Sequence, residues 1–385
     1  MRRRCCLAGL LAAAPRAYGS GRTLSVGPGE RWRTLQDAVR AAGSGDTIEL
    51  QPAEYPGDVA VVAQPQLTIR GLGRGAVLRA EGRDAEGKAI LVVRGEGVVL
   101  ENLEFRGARV LSGNGAGVRF ERGRLSVRRC RFFDNEMGLL TANEADMELE
   151  VVDCEFGAAP RHEGLLHHLL YVGTIGSFTL AGSRLGQGWR GHLVKSRARR
   201  NRIEYNRLDD GPDGEASYEL EFPNGGHNVV LGNVIVQSAR TQNPAMLSMG
   251  AEAGLGGPGS DGSLWLAHNT LVNDAGDGGR FVHIWSERLP ADMTVRMVNN
   301  LFVGPGQLML PPEYDGGGNH RIGHAELRDP ARGDFRLLAG SPLSSRAVAL
   351  PAALTPRFQL ARPVGKVPLS AGGRLSCGAL HDEKQ

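Results

Sequence analysis

Five short segments in the middle of this chain carry side chains that could do acid–base chemistry. Each segment alternates apolar and polar residues, as residues 192–196 do. Successive side chains of a β-strand point to opposite faces, so the polar residues of each segment would share one outward face. They are a phenol, an amine, two carboxylates, a hydroxyl, an imidazole and an indole: Tyr171, Lys195, Glu219, Glu221, Ser248, His283 and Trp285. A row of such groups could transfer protons to and from a bound polymer.

Further polar residues flank these segments and belong to the same candidate site. Two are histidines that precede Tyr171 and Lys195, and the others follow the segments: His168, His192, Arg197, Asn224 and Glu252. The basic residues after Lys195 could attract an anionic chain. A solvent-facing sheet can also be polar without any function, and this alternative stays open at the level of sequence.

The elements that would position these residues follow from an internal repeat. One sequence pattern recurs along the chain. It consists of alternating apolar residues, then a small or amide residue, then any residue, and then an apolar residue. Its small or amide positions are Cys130, Cys154, Ser183, Asn206, Asn233, Asn269 and Asn300. Strands this short are stable only when each coil packs on the next, so the repeat predicts a solenoid. Inward asparagines at the same corner of successive coils would form an amide ladder.

The composition agrees with a coil of short strands and many turns. The chain has 385 residues, of which 55 are glycine, and aromatic residues make up 5%. Glycine in a helix interior costs about 1 kcal/mol relative to alanine, which disfavours a helical bundle. Tight turns, in contrast, use glycine readily. The formal net charge of +3 is small for this length, so no nucleic-acid partner is expected.

The two ends of the chain differ from the repeats. Residues 1–19 combine arginines, a short apolar run and small residues near a cleavage position, which predicts a signal peptide and a periplasmic or secreted protein. No stretch is apolar enough to predict a membrane span, which needs about 20 residues. Helical spacing at 34–42 predicts a lid on the first coil of a β-helix that occupies residues 20–333. Residues 334–385 are expected to form an irregular C-terminal cap and tail.

Three cysteines follow the leader segment: Cys130, Cys154 and Cys377. An exported domain that depends on disulfides usually has more cysteines, in even number. Cys130 and Cys154 would lie one coil apart, about 4.8 Å by the spacing of strands, which permits a disulfide but does not require one. We favour buried free thiols, because a free cysteine packs well in such a ladder.

The repeat resembles the pectate-lyase-like superfamily over residues 24–381. That resemblance implies an all-β, single-domain, right-handed parallel β-helix with an N-terminal capping helix and an irregular C-terminal cap. Because one fold hosts many activities, the fold by itself decides no chemistry. The phrases Gly-His-Leu-Val-Lys-Ser and Tyr-Glu-Leu-Glu-Phe-Pro-Asn-Gly-Gly also resemble uncharacterised bacterial right-handed β-helix repeat proteins.

The segment at residues 191–206 resembles the lysine strand of the chondroitinase B and alginate lyase family. The resemblance implies that Lys195 is the base of a β-elimination. A lysine suits that role when burial or a cationic neighbour such as Arg197 brings the amine towards its neutral form. The family's arginine strand is replaced here by residues 219–225. The family also uses acidic residues to hold Ca²⁺, for which Glu219, Glu221 and Glu252 could supply oxygen ligands.

Three functions remain open from the sequence, and each takes an acidic polysaccharide or oligosaccharide as partner. The first is a polysaccharide lyase with Lys195 as base and Tyr171 or His192 as proton donor. The second is a glycoside hydrolase that uses paired carboxylates among Glu219, Glu221 and Glu252, although such pairs normally flank the sugar. The third is a non-catalytic polysaccharide-binding or envelope-assembly protein. We expect a monomer, and C5-epimerisation is a further alternative.

Overall fold

Three long parallel sheets wind into a right-handed β-helix, and the predicted fold class is confirmed. The structure is a computed structural model that describes residues 21–254, 262–370 and 375–381. The predicted signal peptide at residues 1–19 lies outside the described residues. Each coil contributes one strand to each sheet, so neighbouring strands in a sheet come from consecutive coils.

Within the described residues, the first sheet has 12 strands. They are Thr23–Val26, Thr47–Leu50, Thr68–Gly71, Val98–Glu101, Arg124–Arg128, Glu148–Val152, Ser177–Ala181, Arg200–Glu204, Gly226–Leu231, Gly262–Ala267, Thr294–Val298 and Asp315–Gly317. The second sheet has 11 strands in the same part of the chain. They are Glu54–Pro56, Ala76–Arg79, Leu103–Arg106, Arg131–Phe133, Glu155–Gly157, Arg184–Leu185, Arg207–Asp209, Val234–Gln237, Thr270–Asn273, Leu301–Val303 and His320–Ile322.

The third sheet carries most of the candidate site residues and has 10 strands among the described residues. They are Ala60–Val62, Ala89–Val93, Ala116–Phe120, Met137–Thr141, Leu170–Val172, Val194–Ser196, Leu220–Phe222, Ala245–Met249, Arg280–Ile284 and Gln307–Met309. Two antiparallel pairs follow: Leu327–Asp329 with Asp334–Leu337, and Phe358–Leu360 with Lys366–Pro368. Short 3₁₀ turns are Gly276–Gly278, Ser286–Arg288, His324–Glu326, Pro330–Arg332, Pro342–Ser345 and Ala352–Leu354.

The predicted amide ladder runs along the corner between the first and second sheets. At each step the backbone N–H of one anchor donates to the side chain of the next: Asn206 to Oδ1 of Asn233 at 2.9 Å, and Asn233 to Oδ1 of Asn269 at 2.9 Å. The ladder continues past the predicted anchors to Asn319, which the sequence analysis missed. At its other end, the N–H of Cys130 donates to Sγ of Cys154 at 3.4 Å.

A left-handed residue precedes each anchor and turns the chain from the first sheet into the second. Arg129 has φ 51° and His268 has φ 51°, where glycine would be the usual choice. The turn therefore costs conformational energy at non-glycine positions, and the buried ladder must outweigh that cost. Cys130 and Cys154, in the first part of the ladder, are buried free thiols.

The core inside the coils is narrow and is filled in layers. Phe132 lies between Phe105 and Phe156, with ring-centre distances of 5.1 Å and 4.4 Å, in three consecutive coils. Stacked aromatic rings of this kind add to the hydrophobic stabilisation of each coil on the next. All three rings are buried.

The helix Leu35–Ala41 covers the first coil, as predicted from residues 34–42. The Thr34 hydroxyl accepts the backbone N–H of Asp37 and so caps the helix. Leu35, Ala38 and Val39 are buried against the core. In the part of the chain that the structure describes, no helix has the length and apolar character to cross a membrane.

The C-terminal region turns back along the side of the solenoid after the last coils. The backbone N–H of Arg357 donates to the Tyr205 hydroxyl at 3.2 Å, and the N–H of Gly365 donates to the carbonyl of Gly182 at 2.7 Å. This region therefore covers the corner that holds the amide ladder. The third sheet lies on another side of the coil, where loops between the strands, and not the C-terminal region, lie beside it.

We predict that Asn233→Ala lowers the free energy of unfolding by about 3 kcal/mol, because it leaves several buried ladder groups without partners. The Nδ2 of Asn233 donates to the carbonyl of Ile203 and its Oδ1 accepts the N–H of Asn206. Chemical denaturation measures the change. Asn114→Ala, at an exposed asparagine, is the control and should change stability by less than about 0.5 kcal/mol. Equal effects of the two substitutions would contradict a stabilising ladder.

Candidate functional site

Five of the seven polar residues predicted from alternation are neighbours in one row on the third sheet. The strand register pairs Tyr171 with Lys195, Lys195 with Glu221, Glu221 with Ser248, and Ser248 with His283. Adjacent members of the row therefore lie one coil apart, at the strand spacing of about 4.8 Å. Residues far apart in the sequence thus meet along one face.

Lys195 is the centre of the charged part of this row. Its Nζ lies 2.9 Å from Oε1 of Glu252 and 3.4 Å from Oε2 of Glu221. The same ammonium group lies 5.8 Å from the centre of the Tyr171 ring, within the range of a cation–π contact. Only 11% of the Lys195 side chain is exposed, so these contacts are made largely out of solvent.

Arg197 lies beside Lys195 and binds three groups. Its Nε donates to the Tyr171 hydroxyl at 3.1 Å, its Nη2 donates to Oε2 of Glu252 at 2.5 Å, and its Nη1 donates to Oδ1 of Asn224. Burial works to lower the pKa of Arg197, but Glu252 and Tyr171 outweigh it and raise that pKa. A fixed positive charge therefore faces the phenol.

Glu252 bridges the two cations from the turn that follows the strand Ala245–Met249. One of its oxygens contacts Lys195 and the other contacts Arg197. Burial acts against ionisation, but these two cations hold the pKa of Glu252 below its usual value. The backbone N–H of Glu252 donates to the carbonyl of Pro223 at 2.8 Å, which fixes the turn beside the row.

Two histidines form a second layer next to Lys195. Nδ1 of His192 lies 3.1 Å from Oε2 of Glu221, close enough for an electrostatic contact, although the two groups are not aligned for a hydrogen bond. The backbone N–H of His192 donates to Nδ1 of His168 at 2.8 Å, so that nitrogen carries no proton. Burial lowers the pKa of His192. Burial also lowers the pKa of His168, and the neighbouring charges of His192 and Lys195 lower it further, so that it lies far below its usual value.

Glu221 lies between Lys195 and the histidine layer and contacts both Lys195 and His192. Burial would raise its pKa, but His192 and Lys195 outweigh that effect and lower the pKa of Glu221. Glu221 is thus a buried carboxylate that holds an imidazole on one side and an ammonium group on the other. Its position suits an orienting role better than direct contact with a bound chain.

Tyr218 belongs to the histidine layer, although the sequence analysis did not select it. Its ring centre lies 4.9 Å from that of His192, and burial followed by the charge of Glu221 raises its pKa. A signal for it exists in the sequence. His168, His192 and Tyr218 each lie two residues before a strand of the third sheet, so the same offset in consecutive coils identifies all three.

The far end of the row is aromatic and polar. The rings of His283 and Trp285 stack with their centres 4.2 Å apart, and Nε1 of Trp285 donates to the Ser248 hydroxyl at 3.4 Å. The guanidinium carbon of Arg288 lies 4.4 Å from the centre of the Trp285 ring. Burial, then the charge of Arg280, lowers the pKa of His283. These groups extend the row beyond the charged cluster.

Glu219 does not face outward beside Glu221, and that prediction is wrong. Glu219 is 0% exposed, and neither of its carboxylate oxygens has a hydrogen-bond partner among the described residues. The strand register places it level with Leu193 and Met246, both of which are buried. Alternation fails here because the position just before the strand is also buried, as it is at Leu169 and Leu193 in the two preceding coils. Burial, then the charge of Asp210, raises the pKa of Glu219 well above its usual value.

The serine and asparagines of the lysine-strand motif have structural roles. The Ser196 hydroxyl donates to Oδ1 of Asn201 at 2.5 Å, and Nδ2 of Asn201 donates to Oδ1 of Asn228 at 2.8 Å. Asn206 is a member of the amide ladder. All of these groups are buried, so Lys195 is the motif residue that reaches the outer face.

The acidic residues do not fit the calcium site that the resemblance implies. The described residues contain no group of three or more histidine, cysteine or acidic side chains arranged to hold a metal ion. The ammonium group of Lys195 already contacts both Glu221 and Glu252, and Glu219 lies in the core. We therefore derive no step through a metal.

A large groove of about 1190 Å³ lies away from this row, against the second sheet. Trp189 and Asp210 are among its lining residues, and Gly333 of the C-terminal region forms part of its wall. Arg207 and Asp209 there form an ion pair at 2.5 Å, and Asp210 accepts backbone N–H groups. The described residues that line the groove include no lysine and no tyrosine, so it lacks the amine and the phenol that converge in the Lys195 row.

We predict that Glu219→Gln stabilises the protein at pH 8 and leaves its stability near pH 4 unchanged. The usual glutamate pKa is 4.5. The unfolded chain loses the Glu219 proton above that pH, whereas the folded chain keeps it, so wild-type stability falls as the pH rises. Melting temperatures at several pH values measure the effect.

Glu221→Gln is the matched control, for which the expected change in stability at pH 8 has the opposite sign. The lowered pKa of Glu221 stabilises the fold above the usual glutamate pKa, and that contribution disappears as the pH falls. The control should therefore lower the melting temperature at pH 8 and have little effect in acid. A loss of stability in Glu219→Gln at pH 8 would show that Glu219 is ionised in the fold.

Two solved structures resemble the described fold. A pectate lyase matches with a TM-score of 0.63 and 12% sequence identity, over 95% of this chain and 98% of the other. An alginate lyase from Paenibacillus sp. matches with a TM-score of 0.53 and 15% identity, over 78% of this chain and 99% of the other. The sequence matches no protein-family model, and a search of curated proteins found no match. The three sheets and this likeness together show that the chain has the pectate-lyase-like right-handed parallel β-helix fold.

Proposed function

We propose that the protein is a polysaccharide lyase that cleaves a uronate-containing polysaccharide by β-elimination at the Lys195 row. The observation that carries this proposal is the convergence of Lys195, Arg197 and Tyr171 on one outer face, with the guanidinium group 3.1 Å from the phenol. An amine, a fixed cation and a phenol are the three groups that such an elimination needs.

The reaction assigns one task to each group. Lys195, as the neutral amine, accepts the proton on C5 of the uronate, next to the carboxylate. The electron pair of the C5–H bond forms the C4=C5 double bond, and the C4–O bond to the next sugar breaks. Arg197 neutralises the carboxylate while charge develops on it. Tyr171 donates its proton to the leaving oxygen.

Tyr171 is a better donor than His192, the other candidate from the sequence. The lowered pKa of His192 keeps its ring neutral, and a neutral imidazole is a weak acid. His192 and His168 instead support the row from behind, where their rings lie 4.6 Å apart. Glu221 fixes the position of Lys195 from the same side.

The rest of the row would bind sugars on either side of the cleaved bond. Trp285 offers an aromatic face, with His283 stacked on it, and the Ser248 hydroxyl, which is buried and not outward as predicted, accepts the indole N–H. Asn224 contacts Arg197 and so helps to position the carboxylate ligand. We further propose that the protein is a monomer and that it acts in the periplasm or outside the cell. The proposed location rests on the sequence pattern of residues 1–19.

A glycoside hydrolase has less support. Its acid and base would be carboxyl groups on opposite sides of the sugar. Glu219 is buried, and Glu221 and Glu252 both contact the same ammonium group of Lys195. A binding protein without activity remains an outcome of the test below.

We predict that Lys195→Gln lowers the rate of elimination on the responsive polymer by at least about a hundredfold, as expected for loss of a general base. The assay follows the ultraviolet absorbance of the new double bond on pectate, alginate and glycosaminoglycan substrates. Lys88→Gln is the matched control, because Lys88 pairs with Glu121 on the rim of the same sheet, away from the row. Circular dichroism checks that both variants fold.

Three results would contradict parts of this proposal. Unchanged turnover in Lys195→Gln would remove Lys195 from the role of base. Reducing ends without the ultraviolet signal would indicate hydrolysis. Binding of a uronate polymer without any product would indicate a non-catalytic protein.

A further inference from the structure

Glu252 is the most exposed member of the charged cluster. Its side chain is 37% exposed, compared with 11% for Lys195 and 17% for Arg197. It contacts both cations from the turn at the end of its strand, and the two contacts use different oxygens. Glu252 therefore lies between the solvent and the groups to which the reaction has been assigned.

Both cations keep other partners without Glu252. Lys195 retains Glu221 at 3.4 Å, and Arg197 retains the Tyr171 hydroxyl and Asn224. Glu252 is thus not required to hold either cation in place. Removing its carboxylate would leave a position for an anion between two cations that the rest of the fold keeps fixed.

A uronate presents the same chemistry as Glu252 to this position. In both cases the carboxylate is attached through a single bond that can rotate. A carboxylate pairs well with a guanidinium group. We propose that Glu252 occupies the carboxylate subsite in the resting protein and that a uronate of the substrate displaces it. This inference rests on the uronate specificity of the proposed function and adds an internal competitor to it.

The bridging carboxylate blocks the reaction in two ways. It fills the position on Arg197 that a substrate carboxylate needs. Its Oε1 also accepts a hydrogen bond from Nζ of Lys195, so the amine faces Glu252 instead of the C5–H group of a substrate. One displacement therefore opens the subsite on Arg197 and frees the Lys195 amine to face the substrate.

Displacement requires only the side chain of Glu252 to move. The turn is anchored because the N–H of Glu252 donates to the carbonyl of Pro223, and Arg288 donates to the carbonyl of Ala251. A glutamate side chain on a fixed backbone can rotate into solvent, where its carboxylate is hydrated. The two cations that it leaves are mostly buried, so a carboxylate of the substrate must take its place as it moves out.

Binding of four methyl uronosides tests the inference: those of galacturonate, glucuronate, mannuronate and guluronate. None has a leaving sugar at C4, so turnover cannot interfere with the measurement. We expect Glu252→Ala to bind at least one of them about tenfold more tightly than the wild type, within the usual range of coupling between sites. The corresponding methyl hexosides, which lack the carboxylate, should bind both proteins equally. Titration followed by NMR measures these affinities.

Two further variants make the result specific. Glu287→Ala removes an exposed carboxylate on a neighbouring turn, where it pairs with Arg288, and should leave the affinities unchanged. Adding Arg197→Gln to Glu252→Ala should abolish the gain. If Glu252→Ala is poorly folded, Glu252→Gln keeps the shape, removes the charge and carries the same expectation.

Equal or weaker binding of all four uronosides to the folded Glu252 variants would overturn the inference, because Glu252 would then support the site rather than compete for it. The test is independent of catalysis. Tighter binding without cleavage of any polymer would support Glu252 as an internal competitor and refute the proposed lyase activity. Cleavage of a polymer without tighter binding would keep the lyase and refute the competitor.

Discussion

The hydrogen bonds of the amide ladder are the interaction on which the rest of the structure depends. A backbone N–H at the corner of each coil is satisfied by a side chain of the next coil, as between Asn206 and Asn233. Because buried backbone groups need hydrogen-bond partners, each step fixes the height and rotation of one coil relative to its neighbour. Coils can differ in loop length, from 19 to 36 residues between successive anchors, while the strands stay in register.

That register places the candidate site. Tyr171, Lys195 and Glu221 are about 25 residues apart in sequence, yet they occupy adjacent positions in one sheet. A shift of one residue would exchange the inner and outer faces of a strand. Lys195 would then lie in the core and the site would not form. The same constraint explains Glu219, which takes a core position between Leu193 and Met246 and is accommodated there as a neutral carboxyl group.

Much of this arrangement could be predicted from the sequence. The repeated anchors identified the coil and its ladder, and alternation identified the outward row from Tyr171 to His283. Alternation could not place Glu219, because the rule holds inside a strand and fails at the residue before it. The contacts of Glu252 with Lys195 and Arg197 were also out of reach, since they join residues 57 and 55 positions apart through a turn. The motif resemblance pointed to Lys195 as the base, and the structure shows that Ser196 and Asn201, which follow it, are internal.

The most direct test of the account is a crystal structure of the protein with an acidic hexasaccharide. We expect the oligosaccharide to lie along the third sheet, with one carboxylate bound to Arg197 next to the amine of Lys195. In that complex the side chain of Glu252 should have rotated away from both cations. A hexasaccharide bound in the groove beside Trp189 and Asp210, with the contacts of Glu252 to Lys195 and Arg197 intact, would contradict it.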